Sequence, residues 1–397
     1  MKKLLKIDKT AAVNLVTELI AIPGGPGDEA KIAARIRQEL IALGVSPRSI
    51  RFDKANQSTV LKSSTGNMVA YLPGLGKFRN APRRMLSTHM DTVPLCVGAV
   101  PKRQSKTRIT AAGNTGLGAD NRSGCGSILT AVRELTEAAW DHPPLTLLFT
   151  VQEEVGLQGA QNLDASMLRE PEVSINVDGG DPCEMVYAAI GGRQWRTTIH
   201  GIASHAGCHP EDGASAATIF AKAQARLTAD GWHGQVKQGR NRGTANIGSV
   251  RGGAATNVVM DELVVTGECR SHSKPFLDRM MRTYERAFED SAKQTKNAAG
   301  KCGHIEFEVT NAYPSFRMSK THPSVKAVER ALATLELTPR LRQIDGGLDA
   351  NCLTGVHGTP AITIGAGAHD IHTVNEYLDI PEYLDACRVL LHVASGR

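Results

Sequence analysis

Apolar residues in the first 45 positions recur at helical spacing, with Leu15 and Ile20 in one segment and Ile32, Ile36 and Leu40 in the next. This predicts two helices, parted at Pro23-Gly24-Gly25-Pro26-Gly27, a stretch that breaks helical structure. The pattern then changes to short apolar runs at 68–72, 84–89, 145–154, 173–178 and 361–365. Positions 145–151 are apolar or threonine throughout, which predicts a strand covered on both faces, as in a parallel α/β sheet. Between two such runs, Ile128, Leu129, Val132 and Leu135 fall at helical spacing within 123–137, and His142-Pro143-Pro144 follows as a breaker. The segment therefore reads as a strand-helix-strand unit.

From about residue 190 the texture differs. A strand at 196–199 precedes a helix at 214–227, strands at 244–250 and 263–269, a charged helix at 274–296 and a strand at 304–309. That β-α-β-β-α-β order is the order of a ferredoxin-like sandwich. Texture like that of the first part resumes after Tyr313, with a helix at 324–335 and a strand at 361–365. The expected architecture is an α/β domain, a mixed and mainly parallel sheet with flanking helices, assembled from residues 1–189 and 311–397. A ferredoxin-like α+β domain is inserted between them at 190–310. A chain of 397 residues is long enough for both, since domains commonly run to about 100 to 150 residues.

Composition narrows the function classes. Hydrophobic residues at 41% and charged residues at 22% describe a globular chain and exclude intrinsic disorder. With no run of about 18 apolar residues, no membrane span is expected. Lysine and arginine number 46 against 40 acidic residues, a scattered excess of +6. The densest basic cluster, Lys102, Arg103, Lys106 and Arg108, has no interleaved aromatics, so no nucleic-acid partner is expected. Eight cysteines without close CxxC spacing read as buried thiols of a reducing compartment. Lys6, Asp8 and Lys9 interrupt the start before it reaches signal-peptide length, and a cytoplasmic location is expected.

The chemistry lies just after the apolar runs, where open parallel sheets bind their ligands. His89 and Asp91 end one run as His-x-Asp, and Asp120 precedes a helix in Gly118-Ala119-Asp120. Glu153 and Glu154 end the most apolar run, Asp178 ends another, and His369-Asp370-Ile371-His372-Thr373 follows the last. Taken singly, Asp120 reads equally as a helix N-cap, and the paired glutamates as a solvated edge. Together, two imidazoles and three carboxylates concentrate negative charge that must be protonated or neutralised by cations. A pair of divalent metals is the simplest solution; zinc suits the mixed donors best, with cobalt and manganese open to the same set.

The His-x-Asp, Gly-Ala-Asp, Glu-Glu-x-Gly, Val-Asp-Gly and late His-Thr elements come in a fixed order, with the insertion between the fourth and fifth. As an ordered set they resemble the dizinc metallopeptidase family of peptidase T, glutamate carboxypeptidase, aminoacylase and acetylornithine deacetylase. The resemblance implies that His89 and Asp178 hold one metal, Glu154 and His372 the other, that Asp120 bridges them, and that Glu153 is the general base. It implies that Asp91 accepts the other imidazole N–H of His89 and fixes its tautomer. His369 is the rival to His372, and is set aside because the family element is His-Thr and because on an extended chain the two would face opposite ways. Cys125 reads as helix packing. Two departures stand out: Asp120-Asn121-Arg122 replaces the family's Asp-Asp-Lys, and Leu348 in Gly346-Gly347-Leu348-Asp349 replaces a hydroxyl residue.

In the insertion, Ala203-Ser204-His205-Ala206-Gly207 resembles the family's lid motif, which implies that His205 stabilises an oxyanion. Asn257 and Arg270 lie in two further elements that resemble substrate-contact motifs; Arg270 is open to holding a carboxylate or to a surface ion pair. The implied activity is hydrolysis of short peptides, as in the peptidase T-like branch. An N-acyl-amino-acid amidohydrolase or carboxypeptidase on the same site is the alternative, and a non-catalytic metal-binding protein a remote one that Glu153 argues against. A homodimer through the inserted domain is a further implication.

Overall fold

The computed structural model describes residues 5–397, so the basic N-terminal start lies partly outside the described residues. The chain divides into two compact units, one running to Ala189 and resuming at Phe316–Arg397, the other Ile190–Ser315. The boundary anticipated at 310/311 falls inside the strand His304–Tyr313, where the apolar and polar alternation breaks at a register shift between Val309 and Asn311 while the pairing goes on to Tyr313.

In the first unit the described residues form a nine-stranded mixed sheet. Its centre is parallel: Arg84–His89 lies between Leu145–Thr150 and Val173–Val177, and Val173–Val177 pairs in turn with Ile362–Ile364. Met68–Leu72 runs antiparallel along the outer side of Leu145–Thr150. Leu145–Thr150 and Val173–Val177 are buried at every position, which is what continuous apolar runs predict for strands covered on both faces. The register places His89 beside Thr150 and Ile364 beside Val177. Parallel pairing therefore delivers the residues that follow these strands to one edge of the sheet.

The helix Ala119–Glu137 makes the crossover between Arg84–His89 and Leu145–Thr150. It packs against Lys9–Ile20, Ile380–Ser395 and the Arg84–His89 strand. Asp8 and Asp379 cap the two outer helices, accepting the amide protons of Ala11 and Glu382. A small four-stranded sheet, absent from the sequence expectation, joins Ala368–His369, Tyr377–Asp379, Arg108–Ala112 and Val100–Arg103. Its hairpin pairs His369 with Tyr377 and so closes the loop that carries His372 and Glu376. The basic cluster belongs to this sheet, where the Arg108 guanidinium sits 4.0 Å over the Tyr377 ring.

The Ile190–Ser315 unit is a five-stranded antiparallel sheet ordered Gly234–Gln238, Asn241–Gly252, Glu262–Ser271, Gly191–His200, His304–Tyr313. The last four have the ferredoxin-like order; Gly234–Gln238 is an added edge strand. Helices Ala216–Ala229 and Lys274–Gln294 pack together and against strands of the sheet. Phe276, Met280, Tyr284, Ala287 and Phe288 form the buried stripe of the longer helix, and Trp195 stacks among Tyr284, Phe288 and Phe307. All eight cysteines are free, and the expectation of burial fails for Cys208 and Cys302, which are exposed. Among the described residues no helix is long and apolar enough to cross a membrane.

Candidate active site

Four loops at the carboxyl edge of the parallel strands, with the hairpin loop of the small sheet, bring His89, Asp120, Glu154, Asp178 and His372 together. His89 ends its strand and is 2% exposed. Its Nε2 lies 3.3 Å from Asp120 Oδ1 and 3.9 Å from Asp178 Oδ1. His372 Nε2 lies 3.3 Å from Asp120 Oδ2 and 3.0 Å from Glu154 Oε2. The side chains thus form two groups, each an imidazole and a carboxylate, sharing Asp120 through its two oxygens. His372 is the accessible member, its side chain 49% exposed.

Local backbone sets these directions. Gly118 has a φ of +80° and Asp120 and Asn121 depart from helical geometry, so regular helix starts only after them. Positive φ at Gly118 turns its amide inward, and the Glu376 carboxylate receives it: Oε2 accepts from Leu117 N and Gly118 N at 2.9 and 2.8 Å, and Oε1 from Asp120 N at 3.0 Å. Asn121 donates to the Val177 carbonyl at 2.6 Å, tying the Asp120 turn to the strand that ends before Asp178. Arg122, fully buried, donates to the carbonyls of Met90, Ile22 and Gly24 and so pins the glycine-rich loop beside the His89 strand.

Glu153 and Glu154 follow a strand that ends at Thr150, so they occupy a turn and not an extended segment. Gln152 takes a φ of +52°. Three successive amides in this turn are received by carboxylates: Gln152 N by Glu29 at 3.0 Å, and Glu153 N and Glu154 N by the two oxygens of Asp91 at 3.1 Å each. Asp91 faces His89 as well, with Oδ1 3.4 Å from Nδ1, while the Asp91 backbone carbonyl stands closer at 3.1 Å. Asp91 is thus a positioning residue for the imidazole and for the glutamate turn. Among the described residues the Glu153 carboxylate makes no hydrogen bond or ion pair.

His369 is directed elsewhere, its Nε2 2.5 Å from Glu382 Oε2 and its ring stacked on Tyr377. The physical reason differs from the expected one: the chain between His369 and His372 is not extended, since Asp370 and His372 have φ of +49° and +63°.

Electrostatics reflect the crowding. Burial, with the charges of Asp178 and Asp349, pushes Glu153 well above the usual carboxylate range against the pull of His89. Burial and Asp120 do the same to Asp178. For Asp120 burial acts in the same sense, but the imidazoles of His372 and His89 prevail and hold it well below that range. Asp120 and Glu154 raise His372 to about 10. Asp120 Oδ1 and Glu154 Oε1 are buried without a hydrogen-bond partner, and ligand atoms of His89, Asp120 and Glu154 lie within 4.8 Å of one another. Orphaned carboxylate oxygens converging with imidazole nitrogens are a donor set that fits divalent metal.

Three further acidic residues of this site carry no marker in the sequence pattern. Glu29 is fully buried and pushed up to about 7 by burial and by Asp91. Asp349, 1% exposed, bonds Thr150 Oγ1 and is pushed up to about 6 by burial. Glu376, also 1% exposed, anchors the Asp120 turn. His205, Asn257 and Arg270 belong to the Ile190–Ser315 unit. There His205 Nδ1 accepts amide protons from Gly207 and Cys208, which leaves the proton on Nε2, and Ala206 N bonds the Asn257 carbonyl. The Arg270 fork is taken by Glu268, through two bonds of 2.9 Å.

Comparison with known proteins agrees across sequence and fold. Residues 85–396 match the model of peptidase family M20/M25/M40. The uncharacterized protein YqjE of Bacillus subtilis (strain 168) is 29% identical over 376 residues, covering 95% of each chain. The crystal structure of aminopeptidase PepT from Bacillus cereus superposes with a TM-score of 0.84 at 31% identity, and that of a tripeptidase from Staphylococcus aureus with 0.87 at 28%; both cover 98% of each chain.

Proposed function

The chain belongs to peptidase family M20/M25/M40, and from that premise we propose that it is an aminopeptidase of short peptides, working with two divalent metal ions held by His89, Asp120, Glu154, Asp178 and His372. It is a metallopeptidase, and peptides are its substrates. The observation that carries the two-metal reading is the division of the site about Asp120, whose two oxygens each lie 3.3 Å from a different imidazole. His89 and Asp178 form one ligand group, His372 and Glu154 the other. Zinc is the metal such donors favour. The chemistry bound ions supply there is an acidified water and a polarised scissile carbonyl.

The protein's own part is proton movement and placement. Glu153, which makes no hydrogen bond or ion pair among the described residues, takes the proton of the attacking water and returns it to the departing amine nitrogen. Asp91 holds the turn that presents Glu153 and Glu154, and at the same time faces the His89 ring. In the other unit, His205 and Asn257 are the proposed substrate contacts, with the Nε2–H of His205 as a donor to developing negative charge.

Two comparisons test the proposal. Protein dialysed against chelator is expected to lose turnover of trialanine and to regain it with zinc, at about two equivalents per chain as a two-metal site requires. Trialanine is expected to be cleaved in preference to N-acetyl-trialanine. Undiminished turnover by metal-free protein would overturn the metal assignment, and cleavage confined to the acetylated peptide would overturn the aminopeptidase reading in favour of an amidohydrolase.

A further inference from the structure

Along Gly191–His200, Trp195 and Ile199 belong to the apolar core of the Ile190–Ser315 unit. Because strand side chains alternate, Arg196, Thr198 and His200 turn to the opposite face. Antiparallel register then lines up three residues across three strands, with His200 opposite Glu262 on one side and opposite His304 on the other. Glu306 is two positions beyond His304 and shares its face. The His200 and His304 rings lie 4.6 Å apart at 20°.

These groups surround a gap that their own contacts leave open. His200 Nε2 is buried without a hydrogen-bond partner and stands 3.9 Å from Glu306 Oε1, too far for a hydrogen bond. On the other edge of the ring, Nδ1 is 4.0 Å from Glu262 Oε2. Ligand atoms of His200, His304 and Glu306 all lie within 4.8 Å of one another. We infer that His200, His304 and Glu306 form a second kind of metal site, on the open face of this sheet, for a divalent transition-metal ion such as zinc.

Two imidazoles with one carboxylate suit zinc, copper or nickel and disfavour magnesium and calcium, which take oxygen ligands. Glu262, 4.0 Å from Nδ1, makes no hydrogen bond to the ring and would have to close in to accept its other N–H. Ligation by both imidazoles requires the rings to turn out of their stack, and His304 and Glu306 are exposed side chains. Three protein ligands leave an open coordination position, and the site is more exposed than the group around Asp120. It shares no residue with that group.

The test is zinc binding by equilibrium dialysis of the full chain, comparing the native protein with His200→Asn and His304→Asn. The native isotherm is expected to contain one more equivalent per chain than either variant, or the same equivalent bound at least about tenfold more tightly, the lower end of what lost metal-site groups cost. The difference between chains is independent of how many ions the Asp120 group takes. Trialanine turnover equal to native certifies folded variants; should either lose it, Glu306→Gln, at an exposed position, replaces it. Zinc is also expected to slow acylation of His200 and His304 by diethyl pyrocarbonate in the native chain, read by mass spectrometry. Superimposable isotherms, with no protection of either histidine, would overturn the assignment.

Discussion

Glu153→Gln is expected to lower kcat for trialanine by a factor on the order of 10² to 10⁴, the usual range for a lost general base, while the bound metal stays at the native level. The reason lies in the contrast with its neighbour. Glu154 Oε2 is 3.0 Å from His372 Nε2 and belongs to one of the two groups about Asp120. Glu153 leaves the same turn, its amide held by Asp91, yet its carboxylate makes no hydrogen bond or ion pair among the described residues. Glutamine keeps the size of the side chain and the amide contact to Asp91, and removes only the capacity to accept and return a proton. KM should therefore change little. Metal analysis beside the kinetics separates the outcomes: loss of an equivalent of metal would make Glu153 a ligand, and kcat within tenfold of native with both ions bound would place the base elsewhere.

The five residues grouped about Asp120 were legible in the sequence for a reason that the fold makes concrete. Each stands just beyond an apolar run or at the start of a helix, and parallel pairing of those runs carries their ends to one edge. Glu29 and Glu376 had no such marker. Glu376 sits in a loop between Thr373 and Tyr377, and the amides it receives are more than 250 positions away in the chain. A role made entirely of long-range contacts leaves no periodicity to read. Asp349 was in view only for the leucine before it, and its burial against Thr150 depends on the Leu145–Thr150 strand. The edge strand Gly234–Gln238 leaves no mark on the sequence because Val236 is its single buried position, so it lacks the alternation by which half-buried strands are recognised. Of the two grounds that favour His372 over His369, the His-Thr element and an extended chain, the second is absent from this loop; the hairpin pairing of His369 with Tyr377 is what separates the two.

Glu376 also yields the second large effect, because it holds Asp120 without touching the groups about it through its own side chain. Its Oε2 takes the amides of Leu117 and Gly118 and the Cys96 thiol at 3.2 Å, and Oε1 takes the amide of Asp120. Glutamine cannot replace this pattern in either orientation. With its oxygen at the Oε2 position, its NH₂ confronts the Asp120 N–H, donor against donor; turned over, it leaves the Leu117 and Gly118 amides unmet. Each buried donor without a partner costs about 1 to 3 kcal/mol, and the turn can relieve that cost only by moving the residue both metal groups share. Glu376→Gln is therefore expected to bind zinc about 10 to 100-fold more weakly, the scale seen when groups that orient metal ligands are lost. Turnover should fall at limiting zinc and recover most of its native value at saturating zinc. A purely structural role for Glu376 predicts a different result: a lower Tm with zinc affinity unchanged, and no recovery on adding metal. That outcome would remove Glu376 from the metal-positioning apparatus, whereas recovery by zinc would tie the distant loop at 376 to the bridging carboxylate at 120.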